Sequence, residues 1–212
     1  MNNRSEGPQW ENAVCKYEEG SDLLSAGHRA RGLALLREAA EAGVAPAYGD
    51  LAEEAHRRGD KDEVRRCMKA IEDLAQRNMP AAHVTAHFAY LNGLGEQERD
   101  DRTRIAWDYL KRGAESGDPA SQTMLAANYQ TGANGFPEDS SKYEFWIQKA
   151  VEAEDECAIV SFTEYLLEHR RALPPELREK LARAAANYVP AAIVLDRVRK
   201  MDARQRTRRT TR

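Results

Sequence analysis

Small and apolar residues return at every fourth position in four separate stretches of the chain. Residues at positions i, i+4 and i+8 lie along one face of an α-helix, so each row predicts a helix that a neighbouring helix can approach closely. The first members of successive rows are 35, 39 and 37 residues apart, the length of one helix-turn-helix unit. The rows are Ala47/Leu51/Ala55, Ala82/Ala86/Tyr90, Ser121/Leu125/Tyr129 and Ala158/Phe162/Leu166.

Helix stop and start signals fall at matching points of these units. Gly43 and Gly117 follow predicted helices, where a glycine can adopt the left-handed conformation that closes a helix. Asn78 is the next most suitable residue for that position. Pro46 and Pro119 lie near the start of the following helices, where a missing N–H costs no hydrogen bond. The signals therefore agree with the repeat.

The pattern predicts an all-α protein, a right-handed α/α solenoid of about four to five helix-turn-helix repeats. Each unit of a solenoid contacts mainly its neighbours, so we expect residues 1–203 to form one continuous domain. We expect the basic segment 204–212 to be disordered. Eleven helices are predicted, near 9–26, 28–42, 45–58, 61–77, 80–91, 100–116, 119–131, 138–153, 155–169, 174–187 and 189–203.

The repeat resembles Sel1-like repeats, which are related to tetratricopeptide repeats. WIQKA at 146–150 matches the W-x-x-K-A part of that motif, and YQTGANGFPED at 129–139 is similar to its glycine-containing loop. YLNGLG at 90–95 is a second such loop. The resemblance covers about residues 30–170 and implies an interaction module with adaptor or assembly roles. In bacteria the family also includes immunity proteins that neutralise a cognate secreted toxin.

Charge and composition narrow the range of partners and compartments. The net charge is −3, but the last nine residues carry five arginines and no acid, which leaves residues 1–203 at −8. No run of about 18 apolar residues predicts a membrane span. The first fifteen residues lack the apolar stretch of a leader, so we expect a cytoplasmic protein, or a periplasmic one if a leader was removed. Cys15, Cys67 and Cys157 are isolated, which disfavours disulfides and zinc.

Candidate reactive groups are few. His83 and His87 have the i, i+4 spacing of zinc ligands, but the glutamate of an H-E-x-x-H motif and a third ligand are missing. No histidine accompanies a recognisable nucleophile motif, and no glycine loop ends in Gly-Lys-Ser/Thr. We therefore predict no catalytic residue, no cofactor and no metal site. An acidic cluster that includes Glu53 and Glu54 is expected to be solvated.

Two groups of residues remain as candidates for partner contact. The arginines of the tail allow nonspecific contact with nucleic acid or with an acidic membrane surface, but nothing in the chain predicts specific recognition of nucleic acid. The repeat aromatics, among them Phe145 and Trp146, are expected to pack between repeats.

Residues one step beyond each row's first member differ in chemistry from unit to unit, and we predict that they lie at the edge of a recognition surface. They are Tyr48, His83, Gln122 and Ile159.

The sequence thus favours a protein-protein interaction module without catalytic activity, because a stack of helix pairs offers a long surface and no reaction centre is visible. The first alternative is an immunity protein that binds one cognate toxin, which a short chain with an acidic body would suit. The second alternative is an enzyme whose site is assembled from residues distant in sequence.

Overall fold

The computed structural model describes residues 7–210, with side chains described up to residue 203. It contains eleven α-helices, one 3-10 helix at Ala133–Gly135 and, within the described range, no strand. The all-α repeat architecture is confirmed, and each predicted helix is found. The helices are α1 Pro8–Ser25, α2 Arg29–Glu41, α3 Ala45–Arg57, α4 Lys61–Gln76, α5 Ala82–Leu91, α6 Arg99–Ser116, α7 Pro119–Thr131, α8 Ser140–Glu152, α9 Glu156–Glu168, α10 Pro175–Ala184 and α11 Val189–Thr210.

The helix ends use the predicted signals. Gly43 follows α2 at φ 94°, and Gly117 ends α6 at φ 92°. Both values lie in the left-handed region, where a glycine carries no Cβ penalty. Asn78 occupies the same region, at φ 50°, after α4. At the other end of a helix, the Asp155 carboxylate accepts a hydrogen bond from the Ala158 N–H, an N-cap that fixes the start of α9.

The described residues divide into two compact units, the first ending at Ser121 and the second beginning at Gln122. The first unit holds α1 to α6 and the start of α7. The second holds the rest of α7 and α8 to α11. One continuous domain over residues 1–203 stays a prediction.

Close helix packing organises the first unit. Ala47 and Ala82, which begin two of the four rows, are fully buried, so they are packing positions as predicted. Each odd-numbered helix pairs with the even-numbered helix that follows it, and α3 also contacts both α1 and α5. The helices α1, α3 and α5 therefore form one layer. At the α1–α2 crossing, a Cβ on Gly20 would lie 3.1 Å from the Gly32 carbonyl oxygen, which shows how closely these backbones approach.

The second unit has its own core, in which Tyr143, Ile147, Leu166 and Leu181 are almost completely buried. The expectation that the repeat aromatics are packed is wrong for Phe145, whose side chain is 53% exposed. Tyr143, two positions earlier on α8, takes the interior position instead, because the 3.6-residue period turns Phe145 about 200° away from it.

The C-terminal helix extends further than the sequence predicts. The backbone of α11 is helical to Thr210, which differs from the disorder expected from residue 204 onward. Segment 204–210 contains four arginines and neither glycine nor proline, and arginine is a favourable helix residue. Residues 211–212 of the predicted tail lie outside the described residues. No helix in the described part of the chain is long and apolar enough to cross a bilayer.

Candidate protein-binding groove

A groove crosses the layer formed by α1, α3 and α5 in the first unit. It consists of two adjoining cavities of about 530 and 350 Å³, and both are lined by Asp50 and Glu53 of α3. We call it the odd-helix groove, defined by Tyr17, Ser21, Asp50, Glu53, Val84 and Phe88. Each odd helix contributes to it, so the groove depends on the repeat packing and not on one loop.

The wall from α5 and the facing ring from α1 are apolar. Phe88 is 43% exposed, and Val84, one turn earlier, and Tyr17 are partly exposed. Between them α3 and α5 approach closely, because a Cβ on Gly49 would lie 3.1 Å from the Thr85 methyl group. A small residue at position 49 therefore leaves a recess between two aromatic rings. Exposed apolar surface within a recess is typical of binding sites.

Two carboxylates lie in the middle of the groove. The Ser21 side chain hydrogen-bonds Asp50, and the Asn92 Nδ2 group donates to Glu53 Oε1 at 2.8 Å. Burial raises the pKa of Asp50, and the negative charge of Glu53 raises it further, while Ser21 and Arg57 act in the opposite direction. Among the described side chains, neither Asp50 nor Glu53 takes part in an ion pair.

The arginines that line the groove are held by a third acid. Glu54 is only 1% exposed, and its carboxylate binds both Arg29 and Arg57, the latter at 2.6 Å. The expectation that Glu54 is solvated is therefore wrong. The preceding residue, Glu53, lies on the exposed side of α3, as predicted. A buried carboxylate requires such partners, because an unpaired charge in the interior is costly.

Charge is distributed unequally between the two sets of helices in this unit. Helices α1, α3 and α5 carry seven acids and two bases, whereas α2, α4 and α6 carry ten acids and twelve bases. The layer that contains the groove is thus strongly acidic, and the helices α2, α4 and α6 taken together are close to neutral. Such a separation produces an electrostatic field that attracts cations to the grooved face.

Comparison with known proteins identifies the fold. A protective antigen of uropathogenic Escherichia coli that displays an SLR fold is similar over 87% of this chain, with 20% identity and a TM-score of 0.50. The fold is that of a Sel1-like repeat protein. The chain spans 40% of the length of that antigen. A Sel1 repeat protein of Oxalobacter formigenes matches 87% of this chain and 77% of its own, with 18% identity and a TM-score of 0.49. No family model and no curated protein matches the chain.

The repeat packing buries most of the line that the sequence predicts at the recognition surface. His83, Gln122 and Ile159 are only 2%, 5% and 2% exposed, and Tyr48 alone is partly exposed. The reason is rotational. A residue one step after the small anchor lies about 100° round the helix and is enclosed by packing, whereas a residue two steps after it lies about 200° round, opposite the anchor. The placement of His83, Gln122 and Ile159 at the surface is therefore wrong, and partner contact at Tyr48 stays a prediction.

The residues two steps after the anchors form the groove that sequence reasoning missed. In α3 they are Gly49 and Glu53, and in α5 they are Val84 and Phe88, all of which solvent reaches. The signal was present in the sequence, since Phe88 is a large apolar residue opposite a row of alanines. This signal can be recognised only once it is known which side of α5 faces its paired helix.

The two histidines with the i, i+4 spacing face different partners. His83 Nε2 lies 3.0 Å from Asn78 Oδ1, and His87 Nδ1 lies 2.9 Å from the Ala106 carbonyl oxygen. Burial lowers the pKa of each imidazole, which favours the neutral form. The described residues contain no group of three or more His, Cys, Asp or Glu side chains that could hold a metal ion. The geometry of this pair is that of structural histidines.

Proposed function

We propose that this protein is a non-catalytic interaction module that binds a segment of a partner protein in the odd-helix groove. The observation that carries the proposal is Phe88, a large apolar side chain 43% exposed inside a recess between helices, in a unit whose other described large apolar residues are buried or only partly exposed. Burial of such a ring by a partner releases water from apolar surface and is a typical source of binding energy.

The dimensions of the groove favour an elongated ligand. Its two cavities adjoin along α3 and are bounded by α1 on one side and α5 on the other. An extended or helical segment fits such a trough by placing successive side chains in successive recesses. Because the walls are helices of a packed repeat, the groove is largely preformed, which reduces the entropy lost on binding.

The groups in the groove favour binding over catalysis. Ser21 bonds to Asp50, but no histidine or cysteine is among the residues that line the two cavities. A serine and a carboxylate without a base between them lack the proton relay that an activated nucleophile requires. The carboxylates are instead placed to contact a ligand.

Selection from a displayed library of random peptides tests the proposal, because it requires no knowledge of the natural partner. Peptides selected on the wild-type protein should bind at least tenfold more weakly to Phe88→Ala, a loss of about 1.4 kcal/mol. Phe145→Ala is the matched control, since it removes another exposed phenylalanine that lies outside the groove. Its affinity for the same peptides should be unchanged.

Both variants should keep the helical circular dichroism of the wild type, and any fall in melting temperature should be similar in the two, because the two residues are exposed to a similar extent, 43% for Phe88 and 53% for Phe145. If no peptide is enriched, or if the enriched peptides bind Phe88→Ala as well as the wild type, the groove is not the binding site.

A further inference from the structure

We infer that the odd-helix groove selects a basic segment, in which a lysine or arginine side chain reaches Asp50 and Glu53 while an adjacent apolar side chain contacts Phe88. The inference rests on the proposed binding function and specifies the chemistry of the partner. It follows from the charges in the groove, from the state of the neighbouring arginines and from the position of the aromatic rings.

Among the described side chains the central carboxylates form no ion pair, although the charge of Arg57 acts on Asp50 from within the groove. Asp50 is half-buried and Glu53 lies three residues later on the same helix, so the two negative charges repel each other. Their hydrogen-bond partners, Ser21 and Asn92, are neutral. A cationic side chain brought between them would replace this repulsion with attraction, and the partial burial of Asp50 strengthens the effect relative to open water.

The two arginines nearby are already occupied. Arg29 and Arg57 both form ion pairs with the buried Glu54, although both arginine side chains are more than half exposed. An acidic ligand would have to compete with Glu54 for them and would also face the charges of Asp50 and Glu53. A basic ligand is attracted by Asp50 and Glu53, and the two arginines that it meets have their positive charge partly offset by Glu54. The excess of seven acids over two bases in the whole layer acts in the same direction at longer range.

Aromatic rings complete a site suited to a cation with an apolar neighbour. Tyr17 lies close enough to Asp50 for the charge of that carboxylate to raise the pKa of the tyrosine, after the larger effect of burial. An aromatic ring attracts a cation to its face, and the aliphatic stem of a lysine or arginine packs along apolar surface. Phe88 and Val84 on the opposite wall then contact the next apolar side chain.

The library-selected peptides provide the test, with affinities measured by fluorescence polarisation. We expect them to share a lysine or arginine next to an apolar residue, and replacement of that cation by glutamine should weaken binding about fivefold or more. Asp50→Asn and Glu53→Gln should weaken binding to a similar extent and make it less sensitive to salt, since each removes a charge and keeps the side-chain shape. Asp22→Asn is the control, an exposed acid of α1 that does not line the groove.

The outcomes separate this inference from the proposed function. Peptides whose binding depends on Phe88 but which lack a cation, or which bind Asp50→Asn and Glu53→Gln as tightly as the wild type, would overturn the basic-segment inference and leave the groove as the binding site. An equal loss of affinity in Asp22→Asn would also overturn it, because the effect would then come from overall charge. Binding that is independent of Phe88 overturns both.

Discussion

Gly113 lies in the interior of α6, where alanine is intrinsically the better helix residue by about 1 kcal/mol. The surroundings oppose that preference. A Cβ at this position would overlap the Ser121 hydroxyl oxygen and would lie 2.6 Å from the His83 Cβ. Gly113→Ala therefore sets helix propensity against packing, and the sign of the stability change shows which effect is larger.

The magnitude follows from these distances. Carbon atoms are most stable about 3.5–4.0 Å apart, so the contact with His83 is too short by about 1 Å. Overpacking of this kind costs about 1–3 kcal/mol. Displacement of Ser121 also weakens its 2.5 Å hydrogen bond to Asp118, which contributes about 1 kcal/mol. After the gain in helix propensity, we expect Gly113→Ala to lower the free energy of unfolding by about 1–3 kcal/mol.

Urea denaturation followed by circular dichroism at 222 nm measures this change. Gly49→Ala is the graded control, because it introduces the same methyl group in the interior of α3 with a single contact of 3.1 Å to a threonine methyl. Its effect should be much smaller than that of Gly113→Ala. A gain in stability of about 1 kcal/mol for Gly113→Ala would show that α5 and α6 do not pack as closely as described.

Two further predictions concern the core and the histidines. Tyr143→Ala should lower the free energy of unfolding by about 3–5 kcal/mol, because Tyr143 is only 1% exposed. Trp146→Ala should lower it by less, because Trp146 is partly exposed. Equal losses for the two variants in denaturation curves would contradict this prediction. Burial lowers the pKa of His83 and His87 in the folded protein. Between about pH 6.5 and these lower pKa values, the unfolded chain therefore binds more protons than the folded one. The free energy of unfolding should fall as the pH drops through this window. The variant His83→Gln/His87→Gln should show a shallower fall, and an unchanged slope would contradict the assignment.

The helices were predictable because local signals determine them. The rows that begin at Ala47 and Ala82 have a helical period, and Gly43 and Gly117 adopt the left-handed conformation that such positions favour. The end of α11 was not predictable from the same signals, because no glycine or proline marks it. Arginine is favourable in a helix but does not by itself show where a helix ends.

The candidate site was not predictable, because periodicity shows which side of a helix is packed but not how far the packing extends round it. His83 and Val84 lie about 100° and 200° from the Ala82 anchor, and the sequence interpretation chose the first. In the structure α6 lies against that side, with Gly113 of α6 next to the His83 Cβ, while Val84 opens into the groove. The choice between adjacent residues thus depends on the position of a helix about thirty residues away.

The acidity of the grooved layer depends on the same knowledge of packing. A net charge of −8 over residues 1–203 describes the chain as a whole and gives no direction to its field. Once α1, α3 and α5 are known to form one layer, the charges of each helix can be counted from the sequence, and the excess of acids falls on the layer that contains Phe88. Helix period and charge are each visible in the sequence, but only the packing of α1, α3 and α5 into one layer shows that the acidic residues and Phe88 lie on the same surface. For this chain that surface favours a basic segment, which the Asp50 and Glu53 variants test directly.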